Sequence, residues 1–321
     1  LEQGRRISHE DMIEASNSIL KLFWAPAFGL KGFFSQSIYQ HAGIVGGVGF
    51  GGGSLVYAAV LIKPKRELFE DRHWRALGVD WAEELDPHFK TVARMLGRVD
   101  NPYFGQMDTS LKETAVKMGS GDTYGTVPLG IYFGEPGVTH PDPYFEGQGP
   151  ERRGCDRSGE CLTGCSNGSK NSLDLNYLYL AEAGGAEIYT EHKVDMIRPL
   201  TGGGYEVGSV HPVKGRQRYP TMRAKHVVLA GGVLGTLTLL FRCKNELKTL
   251  PDISSQLGRV VGTNSEAIVS ILPEDKELDL TEGTTISTDF YPNPHTHITQ
   301  NRFPKGYSFM KFYMGPLVDD S

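Results

Sequence analysis

Gly46-Gly47-Val48-Gly49-Phe50-Gly51-Gly52-Gly53-Ser54-Leu55-Val56-Tyr57 is the stretch that decides the fold, and six of its first eight residues are glycine. Glycine loses more conformational entropy on folding than any other residue, so such a run needs a physical reason. A flexible linker would be Gly/Ser-rich and polar. This run instead lies between Ile44-Val45 and the apolar segment Leu55 to Ile62. It therefore reads as a tight loop entering a buried element. There, backbone N–H groups can approach a phosphate or a planar ligand with no Cβ in the way. The run formally contains G-x-G-x-x-G at Gly47, Gly49 and Gly52. A dinucleotide fingerprint, however, follows a strand, opens a helix and meets an acidic residue about 20 positions on. Here an apolar stretch and then Lys63-Pro64-Lys65-Arg66 follow. This is not a βαβ unit, and the run is not the primary Rossmann fingerprint.

With 321 residues the chain can bury a large core and form two domains. Its 40 glycines fit many tight turns, and the formal charge of −5 is mild and unpatterned. The short basic clusters Lys63 to Arg66 and Arg152-Arg153 read as solvated surface, so no nucleic-acid partner is expected. Val227 to Phe241, the longest apolar run, is shorter than the about 20 residues a membrane span needs. No signal peptide is visible, and a cytoplasmic location is the expectation. Three of the four cysteines, Cys155, Cys161 and Cys165, are spaced C-x5-C-x3-C, which matches neither iron–sulfur nor zinc-knuckle spacing. They read as reduced thiols in a glycine-rich turn, and no metal site is assigned.

Ser8-x-x-Asp11 has the form of a capping box. Met12, Ile13, Ile19, Leu20 and Phe23 follow at helical spacing until Pro26 and Gly29. Trp24, Phe28, Phe33 and Phe34 read as a core aromatic cluster. Asp86-Pro87 predicts the start of a second helix, since Asp is a good N-cap and Pro suits the first helical position. Asn101 to Pro150, rich in Gly, Pro, Asp and aromatics, reads as loops and short strands over a cleft. A helix is expected over Leu173 to Ala183, then a strand beginning after Gly184-Gly185 and running through Val194 to Ile197. Tyr205 to Val210 and Thr221 to Ala230 read as strands, and Val227 to Thr236 as strand, glycine turn and helix. The alternating C-terminal part predicts strands at Asp289-Phe290-Tyr291, His295 to Ile298 and Phe309 to Tyr313. His295 and His297 would share one strand face, with no carboxylate or cysteine partner evident in the sequence.

Together these segments resemble the glucose–methanol–choline (GMC) oxidoreductases, in the bacterial branch that acts on sterols. Leu1-Glu2-Gln3-Gly4 is similar to the end of the second strand of the FAD-binding unit. Gly49 to Tyr57 is similar to the flavin-contacting glycine loop, and Gly164 to Leu173 to the G-x-K-[NQ]-[ST]-L segment. His192-Lys193-Val194 resembles the strand on the adenine side, and Val228 to Leu234 the A-[AG]-G-x-[LI]-G turn. Leu257-Gly258-Arg259 with Gly262 to Ser265 resembles the segment after it.

The resemblance implies an α/β chain. Its FAD-binding Rossmann-like domain would be incomplete and drawn from residues 1–8, 40–66 and 170–263. An antiparallel-sheet substrate-binding lobe would come from 67–169 and 264–321. It implies FAD-dependent oxidation of the CH–OH group of a hydrophobic alcohol, typically a 3-hydroxysteroid, with dioxygen or another acceptor taking the electrons and possible peripheral membrane contact to reach substrate. Glu2 would bind the adenosine ribose. Gly49, Gly51, Gly52, Gly53, Ser54 and Tyr57 would lie along the pyrophosphate or isoalloxazine. Val194 would contact adenine through its backbone, and Ala230 and Gly231 would form the strand-to-helix turn.

Some family features are not found in the sequence. The glycine fingerprint expected about 20 residues before Glu2 is absent, and the family's catalytic His segment would fall beyond Ser321, so the catalytic residue is unknown. Tyr57-Ala58-Ala59 supplies no Asn after the loop, and Thr299 or Gln300 stands where relatives carry an acid. Two alternatives follow: a flavin fold retained for binding without catalysis, and a cysteine-cluster metal or iron–sulfur electron carrier.

Overall fold

The computed structural model describes residues 1–305 apart from Arg216, Leu272 and Lys276; the strand expected at Phe309 to Tyr313 lies outside the described residues. The glycine stretch begins as the second strand of a hairpin. Phe34–Ile38 pairs antiparallel with Gly43–Gly47, after which the chain turns through Val48 to Gly51 into a 3-10 turn at Gly52–Leu55. The expected tight loop into a buried element is thus present.

What it enters is the junction of two apolar cores. Leu55 and Val56 pack with Ala15, Leu22, Phe33 and Phe34 in the first. Ala59 packs with Val127, Leu129, Ile131, Cys155, Cys161 and Ile286 in the second, with Tyr57, Ala58, Val60 and Ile62 against it. Eight consecutive residues therefore carry the chain from one core into the other. Cys155 and Cys161 behave as small hydrophobes here, and all four cysteines are free thiols.

The helix expected after Ser8 spans His9–Asn17, and its capping box is formed: Asp11 N–H donates to Ser8 Oγ (3.1 Å) and Ser8 N–H to Asp11 Oδ2 (2.8 Å). Ser18 is extended and breaks the helix before a short turn at Ile19–Leu22. Of the expected aromatic cluster, Phe33 and Phe34 are core, with Phe23 edge-on to Phe34 at 5.7 Å, whereas Phe28 is 84% exposed at a turn.

The second helix starts earlier than Asp86-Pro87 suggests. It spans Trp81–Met95, capped by Asp80, whose side chain accepts from Glu83 N–H at 3.2 Å, and Pro87 lies inside it. Asp86 is occupied instead by ion pairs with Lys63 and Lys90. Asn101 to Pro150 also holds a helix that composition concealed, Gln106–Lys117, capped by Gly105. The segment after the third cysteine breaks at Asn176 into a 3-10 turn, Leu173–Leu175, and a helix, Tyr177–Ala183.

Every ladder among the described residues is antiparallel. Lys193–Pro199, Tyr205–Val210 and Met222–Ala224 form one three-stranded sheet in sequence order. Thr288–Asn293 lies between Thr296–Thr299 and Gly125–Thr126 in another. The strand expected to reach Ala230 stops at Ala224. Residues 227–230 are unpaired, Val228 being 87% exposed, and the helix Gly232–Phe241 follows. The strand expected after Gly185 begins only at Lys193. His295 sits in the turn before its strand, and His297 Nε2 lies 2.9 Å from Asp289 Oδ2, a carboxylate partner the sequence did not reveal. No described helix is long and apolar enough to cross a membrane.

The helix Gln106–Lys117 is joined to the second of these sheets by a buried polar network. Asp108 is 1% exposed and Arg302 3%, with Arg302 Nη2 at 3.3 Å from Asp108 Oδ2. The Gly105 N–H donates to that same oxygen at 2.8 Å. Ser287, Thr288 and Gln300 side chains donate to Asp108 Oδ1. Burial alone would raise the Asp108 pKa, but the Ser287 hydroxyl, the Gly105 N–H and Arg302 hold it below the ordinary carboxylate value.

Because Leu55 is fully buried at the junction of the cores, Leu55→Ala should destabilise the protein by roughly 2–5 kcal/mol. Urea unfolding would show this as a lower midpoint with an unchanged slope.

Candidate functional site

The glycine loop is fixed from three directions. From the N-terminal side, Glu2 Oε1 accepts from Gly4 N–H (2.7 Å) and Gly49 N–H (3.2 Å), while Phe50 N–H donates to Arg5 O (3.0 Å). The contact is so close that a Cβ on Gly4 would lie 2.5 Å from Gly49 N. Burial raises the Glu2 pKa, partly offset by the two N–H donors. Glu2 is itself anchored by its backbone, donating to Tyr189 O and accepting from His192 N–H, at 2.9 and 2.8 Å. That places Glu2 one short step from Val194, which pairs with Ser209 beside a bulge.

From the second side, Ser54 Oγ donates to Gly51 O (2.6 Å) and accepts from Leu173 N–H (2.8 Å). The hydroxyl thus ties the loop to the 3-10 turn at Leu173–Leu175. Gly51 holds φ of +121°, a conformation that a side chain would strain. A Cβ at Gly52 or Gly53 would meet no atom within 4 Å, so the backbone of these two residues faces open space.

The third fixing point is a buried lysine. Lys170 is 2% exposed, and its Nζ donates to Leu55 O (2.8 Å), Tyr57 O (3.1 Å) and Cys161 O (2.6 Å). An ammonium has three N–H bonds, and here each finds a carbonyl. Burial lowers the Lys170 pKa to about 8, so the charged form still prevails at neutral pH. Next to it, the Tyr57 hydroxyl donates to Asn171 O at 2.9 Å, and burial pushes its pKa up, keeping the phenol protonated. Arg152, 1% exposed, donates to Asn171 Oδ1 (3.0 Å), Pro150 O (3.0 Å), Glu151 O (3.2 Å) and Leu175 O (2.5 Å).

The structure therefore brings together Glu2, Gly49, Gly51, Gly52, Gly53, Ser54 and Tyr57, with Val194 close by along the strand after His192. It does not join Ala230 and Gly231 to them. Both are exposed ahead of the helix Gly232–Phe241, and among the described residues no hydrogen bond links them to the loop. Sequence reasoning missed the parts played by Lys170 and Arg152. Lys170 stood inside the quoted G-x-K segment, and its setting among turn-forming residues concealed that it is buried. Among the described residues no group of three or more His, Cys, Asp or Glu is arranged to hold a metal ion.

The arrangement fits a dinucleotide with a planar ring. The open face at Gly52 and Gly53 gives a ligand backbone to lie on. Two buried polar atoms nearby in the chain lack partners, Asp174 Oδ1, which faces Gly51, and Asn176 Nδ2.

Lys170→Met would leave three buried carbonyls without a donor, at ~1–3 kcal/mol each; thermal unfolding should show a loss of at least ~3 kcal/mol. The wild-type protein should also gain stability as pH rises from about 8 toward the ordinary lysine value of 10.5, because over that interval the unfolded chain binds a proton the folded one has released. The variant should lack that slope.

Residues 149–246 match the family model described as GMC oxidoreductase. The whole chain aligns at 40% identity over 329 positions with cholesterol oxidases of two Mycobacterium tuberculosis strains, CDC 1551 / Oshkosh and H37Rv. It aligns at 37% over 321 positions with a cholesterol oxidase of Acinetobacter baumannii, covering 97% of this chain. The chain spans 57% of the length of each of these relatives. GMC oxidoreductases are FAD-binding flavoproteins; this chain is similar to them over residues 149–246 and, along its whole length, to cholesterol oxidases.

Proposed function

We propose that the protein is an FAD-dependent oxidoreductase that oxidises the CH–OH group of a hydrophobic alcohol of the 3-hydroxysteroid class. The observation that carries this reading is the glycine loop clamped between Glu2, the Leu173–Leu175 turn and Lys170, in a chain 40% identical to cholesterol oxidases. When bound, FAD would supply the redox chemistry by accepting hydride at N5 of its ring. The residues present would hold it: Glu2 toward a ribose hydroxyl, the Gly49 to Gly53 backbone along the pyrophosphate and ring, Val194 beside the adenine. Lys170 and Ser54 would keep that surface rigid without touching the ligand through their engaged hydrogens.

In this reading residues 1–8, 40–66 and 170–263 build the Rossmann-like cofactor domain. Residues 67–169 and 264–321 build the substrate lobe. Dioxygen or another acceptor takes the electrons, and contact with a membrane surface delivers the sterol. The second reading is a flavin fold that binds without turnover. It is favoured by two observations near the places where the family resemblance leads one to expect an Asn and an acid. Tyr57 is hydrogen-bonded to Asn171 O, and Gln300 is locked onto Asp108.

The two readings separate in the visible absorption spectrum of the full-length protein, recorded before and after anaerobic addition of a 3-hydroxysteroid. Flavin bands that bleach are expected. Bands that persist with every alcohol offered would favour binding without turnover, and a protein that takes up no flavin would overturn both. Glu2→Gln should weaken FAD binding about tenfold, the cost of one charge-assisted hydrogen bond, as read by recovery of free-flavin fluorescence on dilution.

A further inference from the structure

The segment Leu173–Asn176 presses against the glycine loop from below and carries two buried polar atoms without a partner. Asp174 Oδ1 is one, and Asn176 Nδ2 the other. Native proteins rarely leave such atoms unmet, because each costs its full desolvation. The surroundings are rich in polar groups, yet these are engaged elsewhere. Arg152 is committed to Asn171 and the carbonyls of Pro150, Glu151 and Leu175, and Lys170 to its three carbonyls. Asn176 is 0% exposed and uses its own Oδ1 to cap Tyr177 N–H. The orphaned carboxyl oxygen faces the loop itself: a Cβ built on Gly51 would come within 3.1 Å of it. A side chain at Gly51 would crowd that oxygen and Leu55 together, and Gly52 and Gly53, whose Cβ positions are open, follow directly in the chain.

We propose that Asp174 is a ligand-contacting residue, its Oδ1 accepting a hydrogen bond from the flavin half of the bound cofactor, with the Asn176 amide, two residues on, as a further donor. The assignment rests on the FAD reading above and sharpens it. A pyrophosphate offers only acceptors and repels a carboxylate. The adenosine half also donates, through its ribose hydroxyls and amine, but that reading gives it to Glu2 and Val194; the flavin half remains, with donors in the ring imide N–H and the hydroxyls of the sugar chain. An acceptor and a donor two residues apart suit that half and not the diphosphate. Burial raises the Asp174 pKa, offset in part by the Ser172 side chain and the charges of Lys170 and Arg152, while Oδ1 itself keeps no hydrogen-bond partner.

The test compares Asp174→Leu and Asp174→Asn with the wild type in the full-length protein, using FAD and ADP as probes and the thermal midpoint of the apoprotein as an independent readout. Asp174→Leu removes an unsatisfied group, so the apoprotein midpoint should rise. FAD affinity should fall at least tenfold, while affinity for ADP, which has the adenosine and diphosphate but no flavin, should stay within twofold. Asp174→Asn keeps an accepting oxygen and should hold FAD within threefold of wild type. A lower apoprotein midpoint in Asp174→Leu would mean that the polypeptide itself satisfies the carboxyl, which overturns the proposal. Equal losses for ADP and FAD would overturn the assignment to the flavin half. Unchanged FAD binding in Asp174→Leu would overturn the proposal and leave the FAD reading standing. Wild-type protein that binds no FAD would overturn that reading and the assignment with it.

Discussion

One buried ammonium organises the centre of this molecule. Lys170 is held among three carbonyls, two from the segment leaving the glycine loop and one from the cysteine turn. A charge withdrawn from water is tolerable only when every proton is met. The cysteine turn must therefore sit where it does, and so must the end of the glycine loop. The hydrophobic packing follows the same line: Leu55 and Val56 enter one core and Ala59 the other, with Lys170 bridging the point where the chain passes between them. Apolar burial is non-directional. The three hydrogen bonds convert that general attraction into one loop geometry, the geometry that leaves Gly52 and Gly53 open.

The parts of the fold legible in the sequence were those written locally. The capping box at Ser8 and Asp11 joins residues three apart, and it formed as expected. The glycine loop announced itself by composition and by its apolar exit. The start of the helix at Trp81 was misread because Asp86-Pro87 is a strong local signal. Asp80 gives a competing one, and Lys63, 23 residues away, claims Asp86. The helix Gln106–Lys117 was hidden because its cap is a glycine and its anchor, Asp108, looks like an ordinary surface acid until Arg302 and Gln300 arrive from the far end of the chain.

The same limit governs the candidate site. Glu2 and the loop residues could be named from a family pattern, and the structure gathers them. What holds them could not, since Lys170 reaches back 115 residues to Leu55 and Ser54 reaches forward 119 to Leu173. The apolar run at Val227 to Ala230 shows the converse. Its sequence is strand-like, yet a strand needs a neighbour, and among the described residues none pairs with it.

The network around Asp108 has a consequence for how this sequence can drift. Five side chains, from Asp108, Ser287, Thr288, Gln300 and Arg302, interlock by hydrogen bonds away from water, with Arg302 Nε left without a partner. A replacement at any one strands a charge or a donor supplied by the others, so single changes there are penalised well beyond the bond they delete. These positions can be exchanged only in concert. Substitutions that are harmless in a relative with a different set would be damaging here, and the reverse, which makes this cluster a barrier to swapping the helix Gln106–Lys117 or the strand Thr288–Asn293 between relatives one piece at a time.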